Sequence, residues 1–120
     1  MEYKYINTEY LDSVSGDDDT VISELIDIFR EQVIEIKNEM QQLLSEKDYY
    51  SLGLLAHKAK SSVAIMGMDE LASILKTFEL EAKEGLNPEK YGNYINKFGN
   101  DTAGAVKELD HLLICRLNKT

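Results

Sequence analysis

From Ile22 to Leu113 apolar side chains return every three or four residues, and the 120-residue chain contains only one proline, Pro88. That recurrence matches the 3.6-residue turn of an α-helix and not the two-residue alternation of a strand. With no interior proline to break them, the periodic stretches read as long amphipathic helices, each with one face that must be buried against another. Ile22, Leu25, Ile26, Phe29, Val33, Ile36, Met40, Leu43 and Leu44 form one stripe; Leu52, Leu55, Ala56, Ala59, Ser62, Val63 and Met66 a second; Leu71, Ala72, Ile74, Leu75 and Phe78 a third; and Tyr91, Tyr94, Ile95, Phe98, Ala105, Val106, Leu109, Leu112 and Leu113 a fourth.

The breaks between stripes carry helix start and stop residues. A short helix fits about residues 8–14, with Thr8 as its cap and Gly16 as its stop. A second, about 18–45, opens at Asp17, Asp18, Asp19 and Thr20, whose oxygens and charge suit the positive end of a helix dipole. Asp48 caps a third, about 48–66, which Gly67 closes; Asp69 caps a fourth, about 69–84, which Gly85 closes. Asn87 and Pro88 open the last, about 88–117, as cap and first helical residue. Gly92, Gly99 and Gly104 each weaken that helix by about 1 kcal/mol relative to Ala, so packing has to hold it, and Gly99 is where a local break could fall. The fold class is therefore all-α: an antiparallel four-helix bundle with a short additional N-terminal helix, in a single domain over residues 1–120.

Thirteen basic against twenty-two acidic residues give a net charge of −9. Such a surface argues against nucleic acid and anionic membrane as partners, since both demand cations to neutralise phosphate. No segment approaches the ~20 apolar residues of a membrane span, and the first residues lack a basic stretch followed by an apolar one. Cys115 is the only cysteine, so neither an internal disulfide nor a cysteine-based zinc site can form, which suits a reducing compartment. The Asp run lacks the alternating ligands and later Glu of a calcium loop, so no metal site is expected. A cytoplasmic, monomeric protein is the expectation.

The chemistry concentrates in AHKAKSSVAIMG, residues 56–67. His57 lies off its helix's apolar stripe, and its neighbours on the outer face are Tyr50, Gly53, Leu54, Lys60, Ser61 and Ala64. A water-facing imidazole can offer a nitrogen lone pair near neutral pH. Gly53 is costly within a helix, and clearance for a molecule approaching the ring, shared with Ala64, would account for it. Lys60 cannot pair with His57, but its ammonium suits a phosphoryl group. An ordinary solvent-facing histidine would show the same His and Lys, and His111, among Lys107, Glu108 and Asp110, is read that way.

Ala56, His57, Lys60, Ser61, Ser62, Gly67, Leu71 and Glu79 together make the sequence resemble the histidine-containing phosphotransfer (HPt) domains of bacterial phosphorelays, over roughly Tyr10 to Leu113. Ser61 stands where the family most often has Gly. The resemblance implies that His57 accepts a phosphoryl group, that Lys60 with Ser61 stabilises it, and that Glu79 orients the imidazole through its other ring nitrogen. The chain has no P-loop or nucleotide-binding glycine loop, so the group would arrive as a receiver-domain aspartyl phosphate and leave to another receiver aspartate. This makes the protein a carrier and not an autonomous enzyme. Its partners would be response-regulator receiver domains, with a hybrid sensor histidine kinase as a candidate upstream. No cofactor is expected on this chain, the magnesium belonging to the receiver. Val21, Ile28 and Leu54 break the amphipathic pattern and are the expected receiver-docking patch. The alternative is a helical adaptor that binds a receiver or kinase without accepting phosphate. The chain's length favours a free-standing carrier over one domain of a chemotaxis kinase.

Overall fold

The computed structural model describes residues 3–16 and 18–117, without the side chains of residues 14, 15, 116 and 117. Asp17 of the acidic run lies outside the described residues. Helices occupy Thr8–Ser15 (α1), Asp19–Ser45 (α2), Tyr49–Ile65 (α3), Asp69–Glu84 (α4) and Tyr91–Leu117 (α5), with a short 3-10 turn at Pro88–Lys90. Among the described residues there is no strand. The four long helices pack side by side as an all-α bundle, α3 most extensively on α4, with α2 against α3 and α5.

Cross-helix contacts fix the directions. Gln32 of α2 meets Ser62 of α3, the Ser62 hydroxyl donating to Gln32 Oε1 at 3.1 Å. His57 meets Glu79 and Gly53 meets Lys83, so α3 and α4 run antiparallel. Arg30 pairs with Asp110, while Lys37 lies over Gly99, so α2 and α5 do the same. The stripes meet in one core in which Phe29, Phe78, Phe98 and Tyr91 are almost fully buried. Burying side chains of this size, at about 1.5–3 kcal/mol each, is what holds helices whose own propensities are modest.

Several boundaries fall differently from the expectations. The cap of α1 is Asn7, whose Oδ1 accepts from the Tyr10 amide at 3.0 Å, and Thr8 is the first helical residue. Asp18 caps α2 and Asp48 caps α3 through their side chains. Asp69 does not cap α4: the left-handed Gly67 turn brings the Met68 amide back onto Val63 O, which places buried Met68 at the cap without a side-chain bond. Asp69 and Glu70 instead put negative charge in the first turn. Asn87 adopts a left-handed conformation, which asparagine tolerates better than most residues, and makes no side-chain cap bond. Pro88 therefore opens the 3-10 turn, and α5 starts at Tyr91. The Tyr91 hydroxyl, donating to Glu81 O at 3.0 Å, ties that turn to α4. No break occurs at Gly99; α5 is continuous, with the Lys37 side chain laid across it.

The N-terminal arm is fastened to the far end of α5. The backbone amides of Lys4, Tyr5 and Ile6 all donate to the Glu108 carboxylate, at 2.8, 2.8 and 3.2 Å.

Candidate functional site

On α3 the apolar residues Leu52, Leu55, Ala56, Ala59 and Val63 point inward, which turns His57 outward with its side chain 56% exposed. One edge of the ring meets α4. Glu79, beside core Phe78, is buried at 4% relative exposure, and its Oε1 stands 3.0 Å from His57 Nδ1. A carboxylate that still faced water would contribute little here, but a buried one must be met by donors. Lys83, one turn further along α4, donates to Glu79 Oε2 at 2.9 Å. Lys60 approaches Oε1 from α3 at 4.0 Å.

The Lys83 ammonium is the main influence holding the Glu79 carboxyl down at about 2; it wins over burial, which pushes the other way, and the His57 hydrogen bond helps. Glu79 is thus an anion, able only to accept, so the bond to His57 requires the proton to sit on Nδ1. In the neutral ring that tautomer leaves the lone pair on Nε2, the nitrogen not engaged by α4. The arrangement can hold an oriented, half-exposed imidazole nucleophile with an ammonium beside it.

The remaining expected residues separate into near and far. Ser61 is exposed one turn beyond His57, its hydroxyl donating to the His57 carbonyl oxygen at 3.4 Å, and Ala64 is half-buried on the same face. Leu54 is 48% exposed beside His57.

Gly53 does not provide clearance for an incoming molecule. It is buried against α4, where a Cβ would lie 2.8 Å from Lys83 Cγ, 2.9 Å from Lys83 N and 3.0 Å from Glu79 O. The missing side chain lets two backbones approach, and that approach brings Glu79 under the imidazole.

Val21 and Ile28 do not gather around His57 either. With α2 and α3 antiparallel across the tight turn between Ser45 and Tyr49 and Gln32 level with Ser62, a rise of about 1.5 Å per residue sets Ile28 about 14 Å and Val21 about 24 Å along the bundle from the level of His57. Val21 is half-buried and Ile28 is 52% exposed. The exposed apolar residues on α3 and α4 near this level are Leu54, Tyr50 and Leu80. Lys83 escaped the sequence reading, although its spacing of four from Glu79 is the spacing of a helical ion pair.

The Hpt domain family model matches residues 24–112, and the chain belongs to that family. The match spans α3 and α4 whole, with His57, Lys60, Glu79 and Lys83 inside it. Membership makes the protein a phosphotransfer carrier of phosphorelays that works with receiver domains or kinases, and not a catalyst in its own right. No curated protein and no solved structure matches the chain. No helix among the described residues is long and apolar enough to cross a membrane, and none of those residues form a group of three or more His, Cys, Asp or Glu placed to hold a metal.

Proposed function

We propose that His57 is the phosphoacceptor, taking a phosphoryl group from a receiver-domain aspartyl phosphate and passing it to another receiver aspartate. The observation that carries this reading is the pairing of a half-exposed imidazole with a buried carboxylate on its Nδ1. The Nε2 lone pair attacks phosphorus as the bond from phosphorus to the aspartyl oxygen breaks, and the electrons of that bond leave with the carboxylate. The ring keeps its Nδ1 proton and gains positive charge, which Glu79 faces at 3.0 Å. Lys60 meets the charge of the phosphoryl group, and Ser61, small and exposed, leaves room for it. The donor arrives activated, so the chain needs no metal or nucleotide of its own; the receiver brings the magnesium. Leu54, with Tyr50 and Leu80, forms the apolar surface on which the receiver sits.

Incubation with a phosphorylated receiver is expected to label the protein with an acid-labile, base-stable phosphoryl group. His57→Gln should abolish the label while the helical circular-dichroism signal persists, because the position is exposed. A receiver that binds but leaves no such label would make the protein an adaptor instead.

A further inference from the structure

Three side chains converge on the single carboxylate of Glu79. His57 lies 3.0 Å from Oε1, Lys83 2.9 Å from Oε2 and Lys60 4.0 Å from Oε1, with the charge of Lys76 also acting on it. Two of these partners are held by the packing. The backbone of Lys83 lies directly under Gly53, where α3 and α4 approach closely. His57 is carried by the same stretch of α3. Lys60 alone stands at the outer limit of an ion pair, with an ammonium on a flexible four-carbon stem.

We propose that Lys83 is a positioning residue: by occupying Glu79 Oε2 it keeps Oε1 aimed at His57 Nδ1 and leaves Lys60 uncommitted for the phosphoryl group. This rests on His57 being the phosphoacceptor. Without Lys83 the nearest remaining ammonium to the Glu79 carboxylate is that of Lys60, 4.0 Å from Oε1. Glu79 then turns toward Lys60, which slackens the hold on Nδ1 and draws the cation away from the place where phosphate charge must be met.

The test compares Lys83→Met and Lys83→Arg with the wild type. Phosphoramidate serves as a small phosphoryl donor, and the ring nitrogens of His57 are followed by 15N resonance in the unphosphorylated protein. In Lys83→Met, uptake is expected to slow several-fold and the two ring nitrogens to lose their distinct protonated and unprotonated signals. Lys83→Arg, which keeps the charge, should restore both. Lys83→Gln supplies an uncharged side chain of intermediate length should the Met variant fold poorly. Unchanged nitrogen signals in the uncharged variants would overturn the assignment, as would an Arg variant no better than Met. The nitrogen signals need no donor, so absence of label in every protein would remove the phosphoacceptor reading while the coupling of Lys83 to His57 is still read.

Discussion

Glu79 has almost no contact with water and depends on Lys83 and His57 for its charge, which gives it a defined acid signature. Its folded-state value of about 2 lies below the ordinary 4.5, so the folded protein binds this proton less readily than the unfolded chain. The stability it contributes is therefore complete above 4.5 and is lost as pH falls from there towards about 2. Urea unfolding of the wild type and Glu79→Gln should show the wild type's advantage shrinking across that window, and an advantage constant with pH would contradict the account. His57, Lys60 and Glu79 could be singled out from spacing and family resemblance, and the fold brings them within 4.0 Å of one carboxylate. Lys83 could not be, because a Glu and Lys four apart are common on helix surfaces. What distinguishes this pair is the burial of the carboxylate, which depends on how closely a neighbouring helix approaches.

Two glycines separate what a helix wheel shows from what it hides. A wheel places Gly53 on the same outward arc as His57, yet it cannot show that α4 lies against that edge. Gly53→Ala gains about 1 kcal/mol of helix propensity but drives a Cβ into the Lys83 amide and the Glu79 carbonyl, for which about 1–3 kcal/mol of overpacking is expected. Net destabilisation in urea should result. Gly99→Ala meets only Lys37 Cε, Nζ and Cδ, the movable end of a side chain, so the propensity gain should survive and stabilise the protein. A Gly53→Ala variant more stable than wild type would show that the two backbones are not in firm contact. The stripes made the long helices legible, since a core face repeats many times along each. The helix starts at Asn7, Met68 and Tyr91 were less so, because the geometry of a single turn decides each one, the Gly67 turn for α4 and the Pro88 turn for α5.

As a whole the described molecule is a rod of 51 × 20 × 20 Å. Residues that look adjacent on a projected pattern can therefore lie far apart along its length, which is why Val21 and Ile28 stand away from His57. Amphipathic deviation marks exposure, but only the register between helices says which exposed residues share a level. Leu54→Asp should slow phosphoryl transfer from a receiver while helical content is unchanged, because a charge at the centre of an apolar contact must be desolvated on docking. An unaltered transfer rate would take Leu54 out of the contact surface. The half-exposed ring of His57 also bears on the interval between handovers. With more than half of that side chain open to solvent, a phosphoryl group carried there as proposed would last, away from a partner, only as long as the nitrogen to phosphorus bond itself resists hydrolysis. Signal memory in such a relay would then be set by how soon the next receiver is met.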